Sequence, residues 1–501
     1  MKYANGQEGS RRYFENILDI NCFFDNNVYL FTQLEYSFPP LLGENTILTP
    51  DGINNIFYIQ YTKDNYDFTI GDLYLLRGRG LSLHTYQDRI IDYDNSIKGV
   101  DFTYIINDKI DLFSSIGTST VKSRINPADI LPSVSIKNNL TSIGVSSTFN
   151  NMSLLYHSIV YEQFYDYSDI NSLMNLTNLL GQYLNGRSDY ILSEKPSYSM
   201  TNVEHNLGID FYMGPIELYF EKSLVFYDKI IGERTDGYRN YISTYVNILN
   251  FDILFEFKDY YTPFLYNVFS TPPIVFRESA SILSSRNLHS IDFSNEYGYQ
   301  FEINKSFKNS LNMVVSYSFA INRQLELDTP NIFNFINSQD FLDLSDFSPY
   351  KQFYMEFSNW TNNNKFYYRI GYDYYYEITD LKTIIAKTIP MQYAFNFKKG
   401  NSVTLYLETQ NKNDKIASIE YDYYYISPSY NHFGEWIVTL FLDYEKDGKN
   451  WIGSDYTYNF TKSQLSVFVG SQKGGLVCAN GTCVMQPDFN KGVKATYRIS
   501  L

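Results

Sequence analysis

The stretch Val493-Lys494-Ala495-Thr496-Tyr497-Arg498-Ile499-Ser500-Leu501 alternates strictly between apolar and polar side chains. Its odd-numbered residues are apolar and its even-numbered residues are polar. Because successive side chains of a β-strand point to opposite faces, the pattern predicts a strand with one apolar and one polar face. The same alternation recurs along most of the chain, with aromatic residues concentrated on the apolar face. These features favour an all-β, transmembrane, antiparallel β-barrel.

The composition is compatible with such a barrel. Tyr (49) and Phe (38) dominate an aromatic share of 18%, in a chain of 501 residues whose mean hydropathy is −0.30. The sequence has no apolar run long enough for a transmembrane helix, but a barrel strand turns only half of its residues to lipid. A net charge of −15 excludes the basic footprint of a nucleic-acid-binding protein. A soluble all-β propeller or solenoid is the alternative fold.

The segment Met1–Ser10 lacks the apolar core of a secretory signal. A barrel in the outer membrane must first cross the inner membrane, so we expect a mature or truncated chain. We assign residues 1–11 to an N-terminal extension and residues 12–501 to a single outer-membrane barrel. We expect no globular plug domain ahead of it.

Counting the alternating segments predicts roughly 22 strands. In segments 251–258, 366–377, 403–408 and 436–445 the aromatic or aliphatic stripe is expected to face lipid, and the polar stripe the lumen. In 419–425 the same rule turns Tyr421, Tyr423 and Tyr425 to lipid. Connections alternate between short and long, which is typical of barrels with short periplasmic turns and long outer loops.

Two of the long loops contain features of their own. Ser168 and Gly186 bracket leucines at helical spacing, which predicts either a surface helix or a constriction folded into the mouth. Cys478 and Cys483 flank Ala-Asn-Gly-Thr, and we expect them to form a disulfide in an oxidising compartment. Cys22 lies inside a strand and is interpreted as packing.

Several motifs resemble a known family. They include Gly71-Asp72-Leu73-Tyr74, Arg77-Gly78-Arg79-Gly80-Leu81, Tyr86-Gln87-Asp88-Arg89 and Asp94-Asn95-Ser96-Ile97-Lys98-Gly99-Val100, together with stretches near both ends (12–16, 33–36 and 474–483). The chain resembles an uncharacterised family of outer-membrane barrel proteins from Bacteroidota-like bacteria. Gln87 replaces the acidic residue that is usual in the family. The resemblance implies the fold and the location, and no activity.

Arg77 and Arg79 lie two residues apart between glycines, which places them on one face if the segment is a strand. Two guanidinium groups can bind an anionic ligand or pair with carboxylates of the lumen. Both interpretations stay open.

Acidic residues outnumber basic residues on the face predicted to line the lumen. Rings of acids favour cations in a pore, whereas the alternative is a hydrated wall without passage. The residues predicted to line the lumen and set its selectivity are Arg77, Arg79, Glu217, Glu221, Asp252, Glu256, Arg369, Asp373, Glu377, Glu420, Asp422 and Asp443.

No metal site or cofactor is predicted. Asp340, Asp343 and Asp346 lack the glycine-containing pattern of a calcium loop. His205 shares a face with apolar residues, so a membrane hydrolase that pairs it with a serine of a neighbouring strand is a minor alternative. The sequence contains no zinc cluster or nucleophile elbow, and we do not expect an enzyme.

The sequence thus predicts an outer-membrane barrel that acts as a channel or uptake protein for polar solutes, with an acidic lumen. The first alternative is an anchor that presents its outer loops to a partner protein. Membrane lipid is the expected surrounding in either case.

Overall fold

The computed structural model describes most of the chain, and the account below is confined to those residues. They are 2–5, 13–25, 27–38, 53–89, 93–123, 134–166, 197–228, 234–262, 268–278, 281–287, 289, 291–293, 295–308, 310–322, 349–361, 364–379, 382–397, 400–416, 418–446, 448–479, 482–486 and 488–500. The predicted helix between Ser168 and Gly186 and the aspartates 340, 343 and 346 lie outside them.

The described residues form β-strands and one turn of 3₁₀ helix, Ser284–Arg286. In chain order the strands are β1 (Lys2–Asn5), β2 (Tyr13–Phe24), β3 (Val28–Phe38), β4 (Ile53–Lys63), β5 (Tyr66–Leu73), β6 (Leu76–Arg77), β7 (Leu83–His84), β8 (Gln87–Asp88), β9 (Tyr93–Asp94), β10 (Ile97–Asn107), β11 (Ile110–Ser123), β12 (Val134–Phe149), β13 (Met152–Asp166), β14 (Ser197–Met213), β15 (Ile216–Asp228), β16 (Arg234–Ile248), β17 (Phe251–Tyr261), β18 (Glu296–Ser306), β19 (Leu311–Asn322), β20 (Pro349–Thr361), β21 (Phe366–Thr379), β22 (Lys382–Asn396), β23 (Ser402–Asp414), β24 (Ile419–His432), β25 (Trp436–Glu445), β26 (Asn450–Asn459), β27 (Ser463–Gln472), β28 (Gly475–Ala479), β29 (Thr482–Gln486) and β30 (Phe489–Ile499).

Twenty-four of the described strands form one antiparallel sheet that closes on itself. Successive strands pair from β1 to β5, β5 pairs with β10, and pairing continues from β10 to β27 and on to β30. The ring closes because β1 pairs with β30 on one side and with β2 on the other. The fold is therefore an antiparallel β-barrel of 24 strands. Lys2–Asn5, assigned above to an N-terminal extension, contributes one of them.

The two ends of the barrel differ. Tight turns such as those at Asn150 and Gly214 join alternate strand pairs at one end, where both residues adopt a positive φ. Most of the longer connections lie at the opposite end, including those after β5, β13, β17 and β19. We call these the short-turn end and the long-loop end. This is the asymmetry that the sequence predicts.

The outer surface of the wall is apolar. Ile116, Ile143 and Ile452 point outward and are about 60% exposed, so their environment must be lipid rather than water. Aromatic side chains form a girdle on the outer face near the short-turn end, as expected at a membrane interface: Phe24, Tyr66, Phe149, Phe211, Phe307, Phe395 and Tyr458. No helix in the described part of the chain is long and apolar enough to cross a membrane.

Two connections at the long-loop end turn into the lumen. Lumen segment A consists of the described residues between β5 and β10 (74–89 and 93–96) and contains two small hairpins, β6–β7 and β8–β9. Lumen segment B consists of the described residues between β17 and β18 (262, 268–278, 281–287, 289, 291–293 and 295) and contains the 3₁₀ turn. Segments A and B therefore occupy part of the lumen.

Candidate functional site in the lumen

Lumen segment A is held by the wall through polar contacts with several strands. Arg77 pairs with Asp101 of β10 at 2.8 Å, and its guanidinium lies over the ring of Phe113. The backbone N–H of Arg79 donates to Glu221 at 2.7 Å. Because Glu221 is the sixth residue of the thirteen in β15, segment A reaches mid-height in the barrel.

The turn of segment A requires glycine. Gly78 and Gly80 adopt φ values of 61° and 84°, which side chains with a Cβ rarely adopt. A Cβ on Gly78 would also lie 2.5 Å from Oε1 of Glu221. The glycines that flank Arg79 therefore permit the turn to approach the wall.

Lumen segment B extends across the lumen and contacts β23 and β25. Glu408 of β23 accepts the backbone N–H groups of Ile282 and Leu283 at 3.0 and 2.7 Å. Arg286, in the 3₁₀ turn, forms an ion pair with Asp443 of β25. Segment B is thus anchored at several separate points of the wall.

The two segments contact each other. The N–H of His84 donates to the carbonyl of Phe269 at 2.6 Å, and the N–H of Thr271 donates to the carbonyl of Gly80 at 3.1 Å. Asn95 donates from its amide to the carbonyl oxygens of His84 and Val268. Segments A and B therefore form one joint structure inside the barrel.

This joint structure has an apolar core that includes the inner wall. Leu81, Leu83 and Phe269 are at most 2% exposed. Burying such side chains stabilises the segments by roughly 1.5–3 kcal/mol each. One apolar cluster of the described residues contains Leu73, Leu75, Leu83, Ile97, Val121, Leu140, Ile159, Tyr161, Val268 and Phe269.

A buried cluster of charges joins segment B to β17, β18 and β21. Lys258 forms an ion pair with Glu296, while His289 contacts Glu296 at 3.0 Å and Glu377 at 2.7 Å. Burial lowers the pKa of His289, but the two carboxylates outweigh burial and raise the pKa to about 9. His289 is therefore protonated at neutral pH, and the four groups alternate in charge.

A second buried network lies behind segment A. Arg239 of β16 donates to Glu204 at 2.8 Å and to the carbonyl oxygen of Leu81 at 2.9 Å. Ser223 donates to the same carboxylate. The ion pair is at most 1% exposed. It links wall to segment without contact with water.

Below the segments, toward the short-turn end, acidic side chains meet water. Glu217 is about one-third exposed and lies 4.0 Å from the half-exposed guanidinium of Arg79. Asp252 accepts from Tyr245 and Asn247, and Asp210 accepts from Tyr212. Three carboxylates thus lie on inward-facing positions near the short-turn end.

Ten of the twelve residues predicted to line the lumen lie inside the barrel, and several of them anchor a segment. Glu221, Glu377 and Asp443 contact segments A and B as described above, and Glu256 accepts from Tyr241 at 2.5 Å. Asp373 accepts from Gln352. Arg369 approaches Glu356 at 3.9 Å.

The prediction for Glu420 and Asp422 is wrong. Tyr425 lies directly opposite Glu408 and Asp443, which both contact segment B, so the odd-numbered residues of β24 face the lumen. Glu420 and Asp422 therefore point outward. Three consecutive tyrosines, at 423 to 425, place an aromatic ring on both faces of this strand, and alternation alone cannot choose between them.

The prediction that Arg77 and Arg79 share a strand face is also wrong. Arg77 ends β6, whereas Arg79 lies in the turn that follows. Their side chains lie over different rings, Phe113 of β11 and Tyr219 of β15. The contacts favour a structural network over an anion site.

Sequence reasoning missed the inward course of segments A and B, and with it the roles of Arg239, Lys258, Arg286 and His289. One signal was available. Leu73, Leu75, Leu81 and Leu83 recur in a stretch between long strands that contains two glycines, and outer loops rarely contain so many apolar residues.

The hydrolase arrangement is not among the described contacts. His205 lies on the outer face, where the hydroxyl of Tyr156 is 3.2 Å from its Nδ1. Ser158 is opposite His205 in the register, but the hydrogen bond of the histidine is with the tyrosine. Among the described residues, no group of three or more His, Cys, Asp or Glu side chains is arranged to hold a metal ion.

The cysteines are placed by the backbone. Cys478 and Cys483 are direct partners in the β28–β29 hairpin, and Cys22 is free. The side chains of Cys478 and Cys483 lie outside the described part of the structure, so their disulfide stays a prediction.

The closed ring, the apolar outer face and the aromatic girdle define a transmembrane β-barrel of the outer-membrane type. Within that class, residues 7–140, which include all of segment A, match a family of unknown function (DUF6029). No curated protein matches the sequence.

Solved structures that are similar to this one include outer-membrane proteins. The ferric preacinetobactin receptor BauA from Acinetobacter baumannii is 9% identical with a TM-score of 0.48, covering 99% of this chain and 78% of that chain. The siderophore receptor PirA from Pseudomonas aeruginosa is 6% identical with a TM-score of 0.43, covering 97% and 79%. The P pilus usher PapC translocation pore is 9% identical with a TM-score of 0.43, covering 100% and 98%.

Proposed function

We propose that the protein is an outer-membrane uptake barrel for polar solutes, closed from the outer side by segments A and B. One observation carries the proposal. Beside their apolar core, the segments are joined to the wall by hydrogen bonds and ion pairs, while acidic side chains beneath them reach water. The partly exposed pairs, Arg89–Asp19 and Arg286–Asp443, can be exchanged for water when the segments move, so the obstruction can be displaced without unfolding the wall.

The acids below the segments give the proposed path a charge preference. Glu217 and Asp252 reach water, and the surrounding wall is a low-dielectric medium that focuses their field. We therefore propose that cations are preferred over anions. The preference should weaken as the salt concentration approaches 1 M, where the Debye length is about 3 Å.

Conductance in planar bilayers tests both statements. Replacing Arg89 and Arg286 by Gln removes two ion pairs of the segments with the wall and should raise the open probability above that of the unmodified protein. In a salt gradient, Glu217→Gln with Asp252→Asn should shift the reversal potential toward zero.

The outward-facing acids provide the matched control. Glu420→Gln with Asp422→Asn removes the same charge from the outer wall and should leave the reversal potential unchanged. An anion-selective current in the unmodified protein would contradict the charge preference.

The anchor function is the second candidate, and the apolar core of the segments favours it. Leu81, Leu83 and Phe269 are buried from water where they pack. A gate that moves does not need this much apolar packing, whereas a fixed interior does. If the Arg89/Arg286 variant folds and shows no current, the barrel is better explained as an anchor whose outer loops bind a partner protein.

A further inference from the structure

One sector of the lumen differs from the rest. It is formed by β24, β25, β26, β27 and β30, and the contacts of segments A and B described above lie elsewhere, apart from the Arg286–Asp443 pair. Among the described contacts, the segments therefore reach this sector only at Asp443, and the inward residues Tyr421, Tyr423, Tyr425 and Phe441 keep part of their surface exposed, whereas Trp451 and Phe468 are buried in the wall.

Aromatic side chains line this sector. The aromatic lane comprises Tyr421, Tyr423, Tyr425, Phe441 and Phe468, all on inward-facing positions of β24, β25 and β27. In three pairs of these residues the ring planes are nearly parallel. Tyr421 and Tyr423 lie 6.0 Å apart at 21°, Tyr425 and Phe441 6.5 Å apart at 18°, and Phe441 and Phe468 5.5 Å apart at 11°.

Packing accounts for only part of the lane. The rings of Phe441 and Phe468 cover Gly453, where a Cβ would lie 2.5 and 2.7 Å from them. Covering a strand glycine in this way is a structural role. Phe468 is only 8% exposed and packs against Phe489, so it supports the lane and does not offer a ring face to a solute. Tyr421, Tyr423 and Tyr425 have no glycine to cover, and all three are half-buried. Part of each ring is available to a solute.

Polar groups border the rings. Lys473 lies over the rings of Tyr423 and Trp451 at 4.3 and 4.7 Å and pairs with Glu445 at 3.1 Å. Further along the same wall, Thr457 donates to Asp455 and contacts Ser466. The lane thus combines flat apolar surfaces with hydrogen-bonding groups of both kinds.

We propose that the aromatic lane binds the sugar rings of a neutral oligosaccharide. A pyranose ring has an apolar face of C–H groups, which stacks on an aromatic ring, and a rim of hydroxyls, which exchange hydrogen bonds with flanking acids, hydroxyls and lysines. The ammonium of Lys473 lies over Tyr423 and Trp451, so sugar stacking is assigned to Tyr421, Tyr425 and Phe441. The proposal rests on the proposed function, since it names the class of solute.

Calorimetry on the detergent-solubilised full chain tests binding without requiring passage. Maltohexaose, cellohexaose and laminarihexaose are titrated separately, with polyethylene glycol of similar size as a polar chain that lacks rings. At least one hexasaccharide should bind, and polyethylene glycol should not. Tyr425→Ala or Phe441→Ala should weaken binding about tenfold, equivalent to losing about 1.4 kcal/mol of ring contact.

The neighbouring residue supplies the matched control. Tyr424→Ala removes the same side chain from the outer face of β24, where it is 42% exposed, and should leave binding unchanged. Phe441→Tyr keeps the ring and should retain affinity. Absence of binding by all three sugars, or equal affinity in the lane variants and in Tyr424→Ala, would overturn the proposal. Binding without any conductance would refute passage while the site stands.

Discussion

Two sectors of the same lumen differ in what their inner wall contacts. In the sector of β13 to β18, the inner wall meets segments A and B and contains buried ion pairs such as Lys258–Glu296. In the sector of β24 to β27 and β30, the inner wall carries a row of aromatic rings, of which Tyr421, Tyr423, Tyr425 and Phe441 are partly exposed. Both derive from the same alternation of apolar and polar residues. Alternation therefore determines which residues point inward, while the connecting segments determine whether those residues meet protein or solute.

The largest difference between the sectors should be seen when one charge of an ion pair is removed. Lys258→Met leaves Glu296 in a buried site with one partner fewer, and breaking a buried pair costs about 3–5 kcal/mol. Lys473→Met removes a partly exposed pair in the lane sector and should cost about 1 kcal/mol or less. Urea titration of the folded barrel in micelles measures both. Equal costs would mean that the two sectors are equally filled.

A smaller effect is expected from glycine substitution in segment A. Gly78→Ala adds a Cβ against Glu221, and we expect it to lower the free energy of unfolding by about 1–3 kcal/mol through overpacking. Gly214→Ala is the control, because Gly214 has a similar φ of 59° and nothing within 4 Å of the added Cβ. Only backbone strain applies there. If both substitutions have the same cost, contact with the wall does not hold segment A.

The stability of segment B should depend on pH, whereas the stability of the sector that contains the aromatic lane should not. The pKa of His289 is raised to about 9, compared with about 6.5 for an unfolded histidine. Its contribution to stability is therefore complete below about pH 6.5 and is lost as the pH rises through 9. Hydrogen exchange of residues 281–289 should accelerate between pH 8 and 10 relative to the intrinsic rate. His289→Gln should abolish that extra acceleration.

The smallest effect is expected at the exposed pair that links segment A to β2. Arg89 and Asp19 lie 3.0 Å apart and are both about 40% exposed, so Arg89→Gln should cost at most about 1 kcal/mol. Thermal melting followed by gel mobility is sufficient to measure it. A cost close to that of Lys258→Met would show that segment A depends on this one contact.

The sequence predicts the wall better than the interior. Alternation correctly placed Glu256, Asp373 and Asp443 inside, because the period of a strand is a local property. It failed at β24, where consecutive tyrosines satisfy either orientation. The course of segments A and B could not be predicted, because their anchors, such as Glu408 for Leu283, lie more than a hundred residues away in the chain. Long-range pairing of this kind leaves little trace in one sequence.

The pairing that closes the ring has a consequence for assembly. Most strands pair with a neighbour in the chain, so the sheet can grow hairpin by hairpin. The last seam instead joins Lys2–Asn5 to Val493–Thr496, across almost the whole chain. Among the described strand pairs of the wall, this one closes the longest loop and therefore has the largest entropic cost of loop closure. We therefore expect closure of this seam to be the slow step of barrel formation, with an open curved sheet as the species that precedes it.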